Sequence, residues 1–305
     1  MSNSKNKLSF LVFNFGKARL KNLWFTMKVV KDIQDKKKYK DSDVEFILIE
    51  HGEEEWSKEF AEECGFKYEY YFDPLLTSHR ATLRNKAVEA AEGEWVILHD
   101  NDIIPDISFF DDIFEMIEKH PQVEYFSNFF DVINLTPRLT DILIKDIKTQ
   151  NRFEYGYVNG TDLENTSNFE GCQVRSHGFW TFTEATGGTF TVKKDVFLAT
   201  PFDENYKKWG AEDNAFKLKT IENIGWKKFG LINKSLLHSD HSTEYDYDPA
   251  TGIVQVFGED ISTNRRMLYE SIAKVANGLD TQDWTLKKED KFFTTILKKD
   301  LRELD

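Results

Sequence analysis

The sequence predicts an α/β fold built on a Rossmann-like, mostly parallel sheet flanked by helices. Short apolar runs alternate with amphipathic segments through roughly the first hundred residues, which is the order that parallel β-α-β units require. The chain has 305 residues, of which 40% are hydrophobic and 30% charged. It can therefore bury the core of one large domain with an extension, or of two domains that share a cleft.

Four apolar runs predict buried parallel strands, because a strand covered by helices on both faces is apolar along its length. They are Leu8 to Phe13, Val44 to Ile49, Tyr68 to Phe72 and Trp95 to Leu98. Apolar residues at helical spacing predict helices between and after these strands. These helices are Leu20 to Ile33, Trp56 to Cys64, Ser78 to Ala91 and Pro105 to Lys119.

The regular alternation stops after Val123. The tail from Trp284 to Leu301 mixes lysines with aromatic and aliphatic residues and predicts a helix. Such a helix can lie on an anionic membrane, but we favour docking on its own domain or on another subunit. The remaining predicted elements are a β segment over Phe179 to Val192, a helix over Glu212 to Ile224, a strand over Trp226 to Ile232 and a helix over Ser262 to Val275.

Composition argues against several classes of protein. The net charge of −13 gives no general attraction to polyanions, so nucleic acid is a disfavoured partner. The first residues are polar, and no apolar run reaches the roughly 18 residues that a membrane helix needs. We expect Cys64 and Cys172 to be reduced thiols and the protein to be cytoplasmic. The many Lys, Phe, Asn and Asp residues suggest an AT-rich genome, that of a low-GC bacterium or a phage.

Asp100 and Asp102 stand directly after the fourth predicted strand. Open α/β sheets bind their ligands at the carboxyl ends of the strands. Carboxylates in that position are typical ligands of hard divalent cations, which also hold phosphate. The short Asp-x-Asp motif is common by chance, so it predicts a metal site only together with other features of the chain.

Two further groups of polar residues lie far downstream. Glu212 and Asp213 follow Trp209 and Gly210 at the start of a predicted helix. Acids in a first turn can simply complement the helix dipole and cap free N–H groups. His238 and His241 follow the apolar pair Leu236-Leu237, and histidines at this spacing are either surface residues or imidazole ligands of a metal.

In their order and spacing these motifs resemble those of GT-A fold glycosyltransferases, especially the inverting families of the bacterial polysaccharide type and the galactosyltransferase type. The resemblance spans Leu8 to Arg266. Its first two parts are the opening strand Leu8 to Asn14 and the helix Arg80 to Ala87, which leads into Gly93 to Leu98. The third part is the motif Asp100-Asn101-Asp102. The fourth part is Phe202-Asp203-Glu204, followed by Trp209-Gly210-Ala211-Glu212-Asp213 and a later His.

The resemblance implies metal-dependent transfer of a sugar from a nucleotide sugar, most simply a UDP-sugar, to an acceptor hydroxyl with inversion. Mn²⁺ or Mg²⁺ would be held by Asp102, and Asp100 would contact the ribose or a metal-bound water. His238 or His241 would complete the metal site. We favour His238, because the predicted apolar strand ends there.

The same resemblance assigns roles to the second acidic motif and its neighbours. Asp213 would be the general base, and Glu212 would orient the acceptor. Trp209 offers an apolar face on which a sugar or an aromatic acceptor can stack. Gly187-Gly188 allows the backbone to approach the donor sugar closely.

The nucleotide is expected in a pocket formed by Asn14, Phe15 and Glu50 at the exits of the first two strands. Members of the family usually carry an Asp where this chain has Glu50. Arg80 and Arg84 lie four residues apart on one helix face. They reach either the nucleotide or the Asp-x-Asp loop, or they form a solvated basic face.

Three regions follow from this interpretation. Residues 1–104 form the nucleotide-sugar-binding half, residues 105–245 the acceptor and catalytic half with a β insertion, and residues 246–305 a C-terminal loop and helical extension. The acceptor is a glycan, a lipid-linked sugar, a protein or a modified DNA base of a phage, for which the basic residues of Lys17 to Lys40 and of the tail would be the footprint. A non-catalytic sugar-nucleotide-binding module is the alternative from another class, although it has no use for a base such as Asp213. The sequence leaves the oligomeric state open.

Overall fold

The computed structural model describes residues 7–17, 19–40, 43–72, 80–150, 172–176, 187–206, 212–241, 247–248, 253–254, 284–289 and 292–297. Its strands are β1 (Leu8–Phe15), β2 (Val44–Gly52), β3 (Lys67–Phe72), β4 (Trp95–Asp100), β5 (Ile103–Ile104), β6 (Tyr125–Ser127), β7 (Asp131–Asn134), β8 (Gln173–Ser176), β9 (Thr189–Lys193), β10 (Phe229–Ile232), β11 (Ser235–His238), β12 (Tyr247–Asp248), β13 (Ile253–Val254), β14 (Trp284–Glu289) and β15 (Phe292–Leu297). Its helices are α1 (Leu20–Lys37), α2 (Lys58–Glu63), α3 (Arg80–Ala90), α4 (Phe109–Lys119), α5 (Pro137–Gln150), α6 (Lys194–Ala199) and α7 (Glu212–Ile224).

The main sheet has the strand order β14-β15-β10-β6-β9-β4-β1-β2-β3 among the described residues. Strands β3, β2, β1 and β4 are mutually parallel, and β10 is parallel to β6. Strand β9 lies antiparallel between β4 and β6, and β15 is antiparallel to β10. The predicted α/β fold with a mostly parallel sheet is therefore confirmed.

The parallel register of β1 brings polar strand exits together. Phe13 of β1 pairs with Asp100 of β4, and Asn14 pairs with Glu50 of β2. Because parallel strands end at the same edge of a sheet, these polar residues lie at the edge where α/β proteins bind their ligands.

A smaller sheet in the order β5-β11-β7-β8 extends this edge. Strand β5 follows Asp102 directly, and its antiparallel pairing places His238 of β11 opposite Ile103. Strand β11 is also parallel to β7, so His238 lies beside Asn134. These two pairings carry a histidine from late in the chain to the exit of β4.

Alternate residues of the central strands face two apolar cores. Phe10 and Val12 of β1 belong to the core that α1 and α4 cover. Leu11 and Phe13 belong to the core that α3, α6 and α7 cover. All four side chains are buried, so helices shield both faces of the sheet, as a parallel sheet requires.

Helix α4 begins later than the predicted Pro105. The carboxylate of Asp106 accepts the Ser108 N–H at 3.1 Å, and this local turn takes the place of the first predicted helical turn. The predicted helix over Ser262 to Val275 lies outside the described residues. Among the described helices, none is both long and apolar enough to cross a membrane.

The prediction of a helix in the C-terminal tail is wrong. The segment contains the antiparallel strands β14 and β15, and β15 also pairs with β10 of the main sheet. Aromatic and β-branched residues dominate Phe292–Leu297, and these residue types favour a strand. Docking of the tail on its own domain is confirmed, but it occurs by strand pairing.

Candidate functional site

Hydrogen bonds on two sides hold the Asp-x-Asp turn. The Asp100 N–H donates to the Gly188 carbonyl at 2.7 Å. Gly188 has a φ of +101°, and a Cβ on it would lie 3.3 Å from Ile103. On the other side, the Asn101 amide donates to Asn14 Oδ1 at 3.3 Å. The turn is thus tied both to the glycine pair before β9 and to the exit of β1.

Asp102, His238 and His241 form a cluster that fits a divalent cation. His238 Nε2 lies 3.6 Å from Asp102 Oδ1, and His241 Nε2 lies 3.5 Å from Asp102 Oδ2. The ligand atoms of the three residues all lie within 4.8 Å of one another, so one ion can contact all of them. A carboxylate with two imidazoles suits a first-row ion such as Mn²⁺ better than Mg²⁺, which prefers oxygen ligands.

Asn134 orients the imidazole of His238. His238 Nδ1 lies 2.9 Å from Asn134 Oδ1, which is an acceptor only, so the Nδ1–H donates to it. Nε2 is then the ring nitrogen that faces Asp102. Metal-binding histidines commonly use such a bond at the other ring nitrogen to fix their orientation.

The carboxyl group of Asp102 is buried and surrounded by cationic groups. Arg19 Nη1 donates to Asp102 Oδ2 in an ion pair. Burial raises the pKa of Asp102, but the hydrogen bond with His238 and the charges of Arg19, His238 and His241 outweigh it and hold this pKa below its usual range. Asp102 is therefore ionised, as a metal ligand must be.

Arg84 connects the Asp-x-Asp turn to the acids that open α7. Its Nη2 lies 3.1 Å from Asp100 Oδ1, and its Nη1 lies 2.5 Å from Asp213 Oδ1 and 3.4 Å from Glu212 Oε1. The side chain of Arg84 is only 4% exposed, so water screens these ion pairs little. Acids from two distant stretches of the sequence thus meet in one place.

Helix α3 supplies Arg84 from its buried face. The guanidinium lies 5.1 Å from the ring centroid of Phe202 and 5.9 Å from that of Phe13. Burial lowers the pKa of Arg84, but the three carboxylates outweigh it and raise this pKa above its usual value. The alternative prediction, that Arg84 belongs to a solvated basic face, is therefore wrong. Arg80, one turn earlier, is partly buried, with its guanidinium 5.4 Å from the ring centroid of Phe15.

The environment of Asp213 changes its acidity. The pKa of Asp213 is raised to about 7: burial and the charges of Glu212 and Asp100 raise it, and Arg84 lowers it. A carboxyl group with this pKa can accept a proton near neutral pH and release it again. Asp213 is therefore more than an acid that complements the helix dipole at the start of α7.

Asn14 and Glu50 form a buried pair at the exits of β1 and β2. Asn14 Nδ2 donates to Glu50 Oε1 at 2.7 Å. Glu50 Oε2 accepts the Ser57 N–H at 3.0 Å and the Tyr68 hydroxyl at 2.5 Å. Both carboxylate oxygens of Glu50 thus have protein partners, and the pair orders the two strand exits. Phe15, next in β1, is partly exposed.

Trp209 lies outside the described residues, together with Gly210 and Ala211. The two cysteines are free thiols, as expected. Cys64 is buried, and burial raises the pKa of its thiol to about 11, which makes it unreactive at neutral pH.

No protein-family model and no curated protein matches the sequence. Solved structures do match. Glucosyl-3-phosphoglycerate synthase from Mycobacterium tuberculosis, in complex with Mn²⁺, UDP and glucosyl-3-phosphoglycerate, has a TM-score of 0.52 at 12% identity, over 96% of this chain and 87% of that chain. S. aureus TarS 1–349, in complex with UDP-GlcNAc, has a TM-score of 0.57 at 14% identity, over 87% of this chain and 66% of that chain. Both have the GT-A fold. This chain has the GT-A fold too.

The GT-A fold confirms the architecture that the sequence motifs imply. The structure brings Asp100, Asp102, His238 and His241 to one edge of the sheet, and Arg84 joins Glu212 and Asp213 to them. The roles of these residues stay predictions at this identity.

Two further residues of the candidate site, Arg19 and Asn134, are not predicted from the sequence. Asn134 reaches His238 only through the pairing of β7 with β11, for which the sequence carries no local signal. Arg19 had a weak signal, since it follows the exit of β1 and directly precedes α1.

Proposed function

We propose that the protein is a glycosyltransferase that moves a sugar from a UDP-sugar to an acceptor hydroxyl with inversion, using a divalent ion. The observation that carries this proposal is the Arg84 guanidinium, which joins the Asp-x-Asp turn to Asp213, a buried acid with a pKa raised to about 7. The UDP, UDP-GlcNAc and Mn²⁺ in the similar GT-A structures support the donor and the metal by analogy.

Asp102, His238 and His241 would hold Mn²⁺ or Mg²⁺. When bound, the ion supplies positive charge to the diphosphate as the bond between the sugar and the nucleotide breaks. Asn134 would keep His238 in the tautomer that can bind it. Asp100, two residues before Asp102, would contact the ribose or a metal-bound water.

Asp213 would accept the proton of the acceptor hydroxyl as that oxygen attacks the anomeric carbon. Its pKa of about 7 allows the carboxylate to take up a proton at neutral pH. Inversion requires attack from the face opposite the leaving group, so the base and the cation would flank the donor sugar. Glu212, bound by the same Arg84, would orient the acceptor.

Residues 1–104 would bind the nucleotide. Phe15 and Arg80, which lie against each other at the exit of β1, would contact the base and ribose, and the buried Asn14–Glu50 pair would hold the strand exits in place. Residues 105–245 would form the acceptor side, with Gly188 close to the donor sugar and Trp209 as the stacking surface. The reaction would take place in the cytoplasm.

The test is incubation of the full chain with Mn²⁺ and a panel of UDP-, GDP- and CDP-sugars. Nucleoside diphosphate should be released slowly from the correct donor by hydrolysis, even without an acceptor. Asp102→Asn should lose both this release and Mn²⁺-dependent binding of UDP. Asp213→Asn should bind UDP normally but lose release by about 100-fold or more.

Asp35→Asn, which changes an exposed carboxylate of α1, is the matched control and should behave as the wild type. If both Asp102→Asn and Asp213→Asn keep full turnover, the proposed function is wrong. Binding of UDP and Mn²⁺ without release from any donor would support the non-catalytic binding module instead.

A further inference from the structure

We propose that Arg19 is a ligand of the donor diphosphate and occupies the cation position on Asp102 until a divalent ion binds there. This inference rests on the proposed function. Arg19 Nη1 donates to Asp102 Oδ2, the same oxygen that His241 Nε2 approaches at 3.5 Å. The guanidinium thus neutralises the carboxylate that, with two imidazoles, forms the candidate metal site.

One face of α1 places Arg19 against this site. Thr26 Oγ1 donates to the Asn101 carbonyl at 2.9 Å, inside the Asp-x-Asp turn. Asn22 Nδ2 donates to Ser239 Oγ at 2.7 Å, in the segment between the two histidines. Arg19, Asn22 and Thr26 are three and four residues apart, which is the spacing of one helix face. The beginning of α1 is therefore fixed to the turn, and the position of Arg19 follows from it.

A purely structural ion pair is the alternative explanation of the Arg19–Asp102 contact. The side chains are 12% and 4% exposed, and burial at this level costs so much desolvation that an ion pair gains little net stability. The contact also lies beside two imidazoles that a structural pair does not need. If Arg19 and a divalent ion bind Asp102 in turn, the presence of Arg19, His238 and His241 around this carboxylate is explained.

Exchange would free Arg19 for the donor. Once Asp102, His238 and His241 bind a divalent ion, the ion replaces the guanidinium as the partner of the carboxylate. Arg19 stays near the ion, because Asn22 and Thr26 hold α1. Its planar guanidinium can then bind phosphate oxygens in a bidentate manner.

Arg84, which also lies at this edge of the sheet, is not suited to the same task. Arg84 contacts the carboxylates of Asp100, Glu212 and Asp213, so acids already balance its charge. The position of Arg19 directly before α1 adds the partial positive charge of a helix N-terminus to its own, and both favour an anion there.

Calorimetry of the full chain tests the inference with two titrations, Mn²⁺ alone and then UDP at saturating Mn²⁺. Arg19→Gln should bind Mn²⁺ about tenfold more tightly, because no internal cation competes for Asp102, and should bind UDP about tenfold more weakly. Arg138→Gln removes the same charge from an exposed position on α5 and should match the wild type. Arg19→Lys should keep the wild-type Mn²⁺ affinity but lose several-fold in UDP affinity, because lysine cannot bind phosphate in a bidentate manner.

Unchanged or weaker Mn²⁺ binding by Arg19→Gln would overturn the exchange, and unchanged UDP binding would overturn the diphosphate role. If Arg19→Gln does not fold, as judged by thermal melting, Arg19→Lys decides: UDP affinity equal to that of the wild type overturns the inference. A wild-type protein that binds neither Mn²⁺ nor UDP would refute the proposed function itself, which is a different result.

Discussion

Asp100 and Asp213 bind the same guanidinium, with Arg84 Nη2 3.1 Å from Asp100 Oδ1 and Arg84 Nη1 2.5 Å from Asp213 Oδ1. Asp100 begins the Asp-x-Asp turn, whereas Asp213 lies in the first turn of α7. One buried cation therefore serves both the proposed donor site and the proposed base. The ionisation of Asp213 depends on this shared contact.

Arg84→Met removes the cation that lowers the pKa of Asp213 and leaves three acids close together. We expect this pKa to rise, and donor turnover at pH 7 to fall by about 10- to 100-fold, because each pKa unit removes about tenfold of the ionised base. The free energy of unfolding should fall by about 3–5 kcal/mol, the usual effect of leaving buried charges uncompensated. A pH–rate profile and denaturant unfolding measure the two effects. Arg84→Lys keeps the charge and should lose less in both.

The raised pKa of Asp213 predicts opposite pH trends for activity and stability. Turnover should rise with pH and level off above about 7, because only the ionised carboxylate accepts a proton. Stability should fall over the same range. The folded chain holds the Asp213 proton up to about pH 7, but the unfolded chain releases it near pH 3.8, the ordinary pKa of an aspartate. Each step in pH between these two values therefore favours unfolding.

Asp213→Asn removes this titration and should therefore stabilise the fold while it abolishes turnover. At pH 8 we expect the variant to exceed the wild type by roughly 1–4 kcal/mol in free energy of unfolding, and at pH 4 we expect no gain. Denaturant curves at both pH values measure the difference, with Asp35→Asn as the control. A variant less stable than the wild type at pH 8 would contradict the raised pKa of Asp213.

Asn134→Ala should weaken Mn²⁺ binding without any change in the proposed ligands. The substitution removes the acceptor that fixes the tautomer of His238, and losses of about 10- to 100-fold in metal affinity are usual for such partners. Calorimetry with Mn²⁺ alone measures the effect. Asn205→Ala, on an exposed loop, is the control. The wild-type affinity in Asn134→Ala would point to His241 as the histidine that matters more.

Local sequence patterns were sufficient for the four strands of the first hundred residues, for the start of α7 and for the acids. Leu8 to Phe13 and Trp95 to Leu98 correspond to β1 and β4, because a strand buried on both faces is apolar along its length. Glu212 to Ile224 corresponds to α7, because a helix buried on one face has apolar residues at helical spacing. The same signal places Asp100, Asp102 and Asp213 at element ends. The resemblance to the GT-A families assigns these acids to one reaction, and the structure brings Asp100 and Asp213 to the same guanidinium.

Long-range contacts explain what the sequence did not predict. The helical spacing of Arg80 and Arg84 is the same whether their face is solvated or buried. Only the contacts of Arg84 with Phe13 and Phe202 show that Arg84 is buried. Asn134 depends on the pairing of β7 with β11. The tail was assigned from its basic and aromatic composition, although Phe292–Leu297 has the residue types of a strand and finds its partner in β10.

Gly188→Ala should disturb the Asp-x-Asp turn, and Gly65→Ala provides a matched control. Both glycines have positive φ, +101° and +76°, but a Cβ on Gly188 would meet Ile103 at 3.3 Å, whereas a Cβ on Gly65 would meet nothing within 4 Å. We expect Gly65→Ala to cost about 1 kcal/mol of stability from backbone strain alone, with normal turnover. Gly188→Ala should cost about 2–3 kcal/mol and also lower turnover, because the Gly188 carbonyl accepts the Asp100 N–H. Thermal unfolding and the donor-hydrolysis assay measure both variants. Equal effects of the two substitutions would show that the position of Asp100 does not depend on Gly188.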